Sequence, residues 1–149
     1  MKVATWNVNS IRLRLDSMLE WQTRTGTDVL CVQETKVVDV DFPAQPIIDA
    51  GFQVAFFGQK SYNGVAIISK HEIAEVQKGF RDDDEEQPKR LIAATINGVR
   101  IVNTYIPNGT ERNASAGYAR PSWVRMTASY RRPAWWSAWR PPAPDAPRC

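Results

Sequence analysis

A break near residue 111 decides what this chain can fold into, because every sign of a packed element lies before it. Residues 112–149 hold seven Arg and one acidic side chain, a net charge of +6. They carry four of the six Trp and six of the ten Pro, and no Lys, Leu, Ile, Phe, Glu, Gln or His. A segment so poor in core residues and so often interrupted by Pro writes neither helical nor strand periodicity. Residues 1–111 hold 12 basic and 15 acidic side chains, a net charge of −3. The formal +3 of the whole chain therefore comes from the tail, and says nothing of a nucleic-acid surface on the folding part. The expected organisation is a folding part, residues 1–111, and an Arg/Pro/Trp-rich tail, residues 112–149, without stable structure.

Composition then excludes several classes. At 43% hydrophobic residues the chain is not a disordered polymer throughout. No apolar run approaches the roughly 20 residues that a membrane helix needs. The start, Met1-Lys-Val-Ala-Thr-Trp6, has no secretory pattern, so a cytoplasmic location is expected. Cys31 sits in an apolar run and Cys149 is the last residue. Two such cysteines make neither a disulfide framework nor a zinc site, and Cys31 reads as a small buried hydrophobe.

Lys2-Val-Ala-Thr-Trp6 alternates and reads as a strand. Ser10 is a candidate cap for a helix running to Thr25, with Ile11, Leu15, Met18, Leu19 and Trp21 at helical spacing. Asp28-Val-Leu-Cys-Val-Gln33 is a buried strand, so the chain opens as strand, helix, strand, with the two strands parallel. A short helix is expected over 42–50, and strands over 52–57, 64–69 and, more weakly, 72–78. Asn97-Gly98, between the runs 90–96 and 99–105, is a hairpin signal. The fold class is α+β or layered α/β.

Three polar groups stand at the ends of apolar strands: Asn7, Glu34, and Tyr105 with Asn108. Each is either an ordinary turn residue or a member of a shared cleft, since sites gather at strand ends. A carboxylate in such a place suits a divalent cation, and magnesium is content with one or two carboxylates plus water and phosphate. The run Asp82-Asp-Asp-Glu-Glu86 repels itself and reads as a solvated loop. His71, the lone His, reads as a surface turn residue.

Five segments occur in order: Met1-Lys-Val-Ala-Thr-Trp-Asn-Val-Asn-Ser-Ile-Arg12, Asp28-Val-Leu-Cys-Val-Gln-Glu-Thr-Lys36, Tyr62-Asn-Gly-Val-Ala-Ile-Ile-Ser-Lys70, Arg90-Leu-Ile-Ala-Ala94 and Asn103-Thr-Tyr-Ile-Pro-Asn-Gly109. Together they resemble the exonuclease III and abasic-site endonuclease branch of the endonuclease/exonuclease/phosphatase superfamily, over about residues 1–110. The resemblance implies the first half of a four-layer α/β/β/α sandwich of the DNase I-like type. It implies a magnesium-dependent phosphodiesterase of DNA repair, with manganese as a substitute. The implied partner is duplex DNA with abasic sites or 3′ ends, met by a monomer with no obligate protein partner and no membrane. Glu34 is then a metal ligand, and Asn7 holds the metal-site water or a carboxylate. Tyr105 contacts the scissile phosphate, and Asn63 and Asn108 line the same cleft. Such chemistry needs a metal to neutralise the phosphate and a positioned donor to meet developing charge.

The family continues past Gly109 with an Asp-x-Asn pair and a final Asp-His pair. Here Asp145 is the one acidic residue after Arg112, and no His follows His71. The chain alone is therefore expected to be inactive and prone to aggregate through open strand edges. Residues 112–149, rich in Arg, Pro, Ala and Trp, have the composition that a frame change in a GC-rich gene produces. Two other readings stand beside the nuclease. One is a noncatalytic nucleic-acid-binding remnant using the tail's Arg and Trp. The other is a phosphatase-type member of the same superfamily.

Overall fold

The computed structural model describes residues 1–80 and 87–107, all within one unit, Met1–Asn108. The acidic run 82–86, Asn108 and the tail 112–149 lie outside the described residues.

Strand β1, Val3–Asn7, leads through helix α1, Ile11–Thr25, into strand β2, Val29–Gln33. β1 and β2 pair in parallel, Val3 beside Val29 and Asn7 beside Gln33, as the strand-helix-strand opening requires. A single 3₁₀ turn, Asp39–Asp41, precedes the short helix α2, Ala44–Asp49. The expected helix over 42–50 thus starts later, because Phe42 and Pro43 keep extended or irregular backbone ahead of it. Then follow β3, Gln53–Phe57, β4, Val65–Ser69, β5, Ala74–Lys78, β6, Leu91–Ile96, and β7, Val99–Thr104. Asn97 and Gly98 both take positive φ, 49° and 75°, the backbone that a two-residue hairpin turn demands.

Two sheets result. One runs β1-β2-β4-β3 and the other β5-β6-β7. β2 and β4 are central and buried on both faces, which is why they read as continuous apolar runs. On the outer face of the first sheet, Leu30, Val32, Ala66 and Ile68 pack against Ile11 and Met18 of α1 and Ile47 of α2. On its inner face, Val29, Cys31, Val65 and Ile67 meet Ile92, Ala94 and Ile96 of β6. The described layers are therefore helix, sheet, sheet, a mixed α/β arrangement with one core on each side of the first sheet.

The start of α1 departs from the sequence reading. Ser10 stands at the cap position, yet its side chain makes no capping bond and its φ is 92°. Its backbone N–H instead donates to the Glu34 carbonyl at 2.8 Å, and that of Ile11 to Thr35 at 3.2 Å. The helix start is satisfied by the loop after β2 rather than by a hydroxyl. Cys31 is buried, as expected, and burial pushes its thiol up to about 11, so it is inert at neutral pH.

Candidate active site

Because β1 and β2 run parallel, they deliver Asn7 and Glu34 to the same end of the first sheet. β7 of the second sheet brings Tyr105 to that end. The three meet at one carboxylate. Asn7 donates Nδ2–H to Glu34 Oε1 at 2.8 Å. Lys36 Nζ lies 3.2 Å from Oε2, and the Tyr105 phenol faces the same carboxyl closely enough for each to move the other's pKa. Asn7, then Tyr105 and Lys36, hold the Glu34 carboxyl below its usual range against the opposing effect of burial. Glu34 is thus ionised at neutral pH. Tyr105 moves the other way: burial and the facing carboxylate push its phenol above the usual value, so it stays a donor.

Asn7 is used at both ends. Its Oδ1 accepts from the Asn9 backbone N–H at 3.1 Å, a local turn that fixes the amide while Nδ2 faces Glu34. Asn9 Oδ1 in turn accepts from Lys36 Nζ. The loops that carry these groups are strained. Asn9, Ser10, Glu34, Lys36 and Asn63 all have positive φ, between 45° and 92°. Left-handed backbone at so many non-glycine positions persists only where the surroundings over-determine it, as they do at functional sites. Gly64 completes the set: its φ is 85°, and a Cβ there would sit 2.1 Å from Thr35 Oγ1.

Asn63 does not reach the carboxylate. Its Oδ1 accepts from Arg90 Nε at 2.9 Å and its Nδ2 donates to Gln59 at 2.9 Å. It borders the site through backbone, since its carbonyl accepts from Lys36 N–H at 3.1 Å. Asn108 lies outside the described residues. His71 stands at the opposite end of the first sheet, just past β4. Sequence reasoning assigns no role to Lys36, Asn9 or Arg90. The signal for Lys36 is its spacing, two residues past Glu34. Arg90 has none beyond its place at a strand start, yet its carbonyl accepts from the Tyr105 N–H at 2.8 Å.

Among the described residues no group of three or more His, Cys, Asp or Glu forms a cation cage. The donor chemistry fits a leaner arrangement. Glu34 supplies one ionised carboxylate, enough for a magnesium ion that keeps waters and takes substrate oxygens. Lys36 is the cation that carboxylate now holds.

The model of the endonuclease/exonuclease/phosphatase family matches residues 4–147. The chain belongs to that family. The match extends past residue 111, whereas the motifs quoted above end at Gly109. Exodeoxyribonuclease III of Haemophilus influenzae is 34% identical over 119 residues, covering 75% of this chain and 43% of that protein. Among solved structures, a 3′-5′ exonuclease from Neisseria meningitidis is 39% identical with a TM-score of 0.70, over 73% of this chain and 43% of its own. An AP endonuclease from Archaeoglobus fulgidus is 42% identical with a TM-score of 0.70, over 76% of this chain and 44% of its own. The chain thus spans less than half the length of these three family members. Among the described residues no helix is long and apolar enough to cross a membrane.

Proposed function

We propose that this chain carries the first part of a DNA repair nuclease of the exonuclease III type, built on a four-layer sandwich. Its reaction is phosphodiester hydrolysis at abasic sites and 3′ ends. The observation that supports this most is the Glu34 carboxylate, held by Asn7 of the first sheet at 2.8 Å and faced by Tyr105 from the end of the second.

Glu34 is the residue that would hold magnesium, with manganese as a substitute. When bound, the ion neutralises phosphate charge and stabilises the leaving oxygen. Asn7 acts as a positioning residue, fixing the Glu34 carboxylate through Nδ2. Tyr105 keeps its proton well above neutral pH and can turn its O–H from Glu34 to a phosphate oxygen as negative charge develops there. Lys36, which pairs with Oε2 here, would serve as a cation beside the phosphate. Asn63 holds Arg90 at the rim, and Asn108, three residues after Tyr105 in the sequence, is proposed for the same cleft.

The groups that would activate water are not among the described residues. After Arg112 the sequence offers one acidic residue and no His for that task. Cleavage by this chain alone is therefore expected to be weak or absent, while cation-dependent DNA binding is retained.

The test is binding and cleavage of a duplex with one abasic site, with magnesium and with chelator. The proposal requires magnesium-dependent binding that Glu34→Ala abolishes. Binding that ignores both magnesium and Glu34, and vanishes when residues 112–149 are deleted, would replace it with a noncatalytic tail-driven binder.

A further inference from the structure

One buried polar group in the core between the sheets has no part in the chemistry above. Asn103, on β7, is 2% exposed among apolar neighbours, and its amide is almost fully used. Its Nδ2 gives one hydrogen to the Val32 carbonyl and one to the Ala66 carbonyl, each at 2.9 Å. Val32 and Ala66 face each other on β2 and β4, so one side chain of the second sheet grips two strands of the first. Its Oδ1 accepts from Gln33 Nε2 at 2.7 Å, and Gln33 Nε2 also donates to Thr5 Oγ1 at 2.8 Å on β1. The chain of hydrogen bonds therefore links β7, β4, β2 and β1.

Each member lies beside a residue of the site. Residues two apart on a strand share a face, so Thr5 accompanies Asn7 and Asn103 accompanies Tyr105. Gln33 immediately precedes Glu34. Apolar packing alone holds two sheets together without fixing their offset along the strands, because it has no direction. Hydrogen bonds to particular carbonyls do have direction, and a fully satisfied buried network specifies one arrangement. The residue type matters as well. Asp at this position would set a carboxylate oxygen against two carbonyl oxygens, and Leu, of similar size, would supply no donor.

We infer that Asn103, with Gln33 as its partner, is a positioning residue that fixes the offset of the two sheets and so the meeting of Tyr105 with Glu34. The functional reading above enters only in naming those two as one site. The coupling between them is measurable without activity.

The experiment uses the full chain labelled with carboxyl-13C Glu and ring-13C Tyr, with Glu34 and Tyr105 signals assigned by Glu34→Gln and Tyr105→Phe. In the wild-type chain Tyr105→Phe is expected to shift the Glu34 carboxyl signal, because the phenol faces that carboxyl. In an Asn103→Leu background that shift is expected to fall by at least half, the non-additivity that marks lost coupling. Ile101→Val trims the same strand within the same core and is expected to leave the shift intact. A full shift in Asn103→Leu, or an equal loss in Ile101→Val, overturns the inference. Should Asn103→Leu not fold, Gln33→Met keeps both Asn103 carbonyl bonds and removes the Oδ1 partner together with the link to Thr5. A smaller but clear loss is expected there, and none at all overturns the inference too. Intact coupling in a chain that binds no manganese would reject the proposed function and leave this inference standing.

Discussion

The two ends of the first sheet each hold a carboxylate with a lowered pKa, and they are not alike. At one end Glu34 collects Asn7 from β1, Lys36 from its own loop and Tyr105 from the other sheet. At the other, Asp28 accepts the Lys2 backbone N–H at 2.6 Å and lies 3.6 Å from His71 Nε2. The backbone bond to Lys2 is the main cause of its lowered pKa, with the N-terminal charge and His71 adding to it. Asp28 is thus held by the first sheet's own ends, and among the described residues none of the second sheet bonds to its carboxylate. Its neighbours keep ordinary backbone, save the capping Gly26. A shifted carboxyl does not by itself mark a site. Convergence from both sheets on strained loops does.

Glycines test that contrast with the largest expected effect. Gly64→Ala forces a Cβ into Thr35 Oγ1 at positive φ, next to Glu34. It should destabilise the chain by about 2–4 kcal/mol, from strain plus overlap. Gly26→Ala, at the Asp28 end, has the same sign of φ but nothing within 4 Å. It should cost only about 1 kcal/mol. Chemical denaturation of both variants reads the difference, and equal losses would break the contrast.

Acid sharpens it next. Both carboxyls have folded pKa values below their usual range. Such groups stabilise the fold above the unfolded pKa, and that stability is lost as pH falls through the folded value. Stability curves of Glu34→Gln and Asp28→Asn should therefore lie below wild type at neutral pH and converge on it in acid. Cation binding should decline over the same acid range in wild type and in Asp28→Asn alike, since Glu34 is the proposed ligand. Tyr105→Phe should raise the Glu34 carboxyl toward its usual range in an NMR titration and leave Asp28 unmoved. The smallest effect belongs to His71→Ala: its exposed pair with Asp28 should leave the unfolding midpoint close to wild type, with cation affinity unchanged.

Much of this frame was legible in the sequence for physical reasons. β2 and β4 read as strands because burial on both faces forces a continuous apolar run. The hairpin read from Asn97-Gly98 because few other residues accept that backbone. Asn7, Glu34 and Tyr105 stood out as polar ends of apolar strands, and the structure brings those three together. Arg90 carries no such signal and Lys36 only its spacing from Glu34, because a cation's partner depends on tertiary approach. Asn103 was hidden in an alternating strand, where a polar residue looks like an outward-facing one. The Ser10 cap misled for a related reason: the loop at Glu34 and Thr35 competes for the same backbone donors and wins. Asn63 reads as a cleft residue in the sequence and stands one residue removed from the carboxylate in the fold.

Whether Glu34 holds a divalent cation is read by manganese titration, followed by the EPR signal of the free ion, in wild type, Glu34→Ala and Asp28→Ala. One site is expected in wild type, lost in Glu34→Ala and kept within about twofold in Asp28→Ala, as follows when a single carboxylate carries the cation. Equal affinity in wild type and Glu34→Ala, or loss in Asp28→Ala instead, would contradict it.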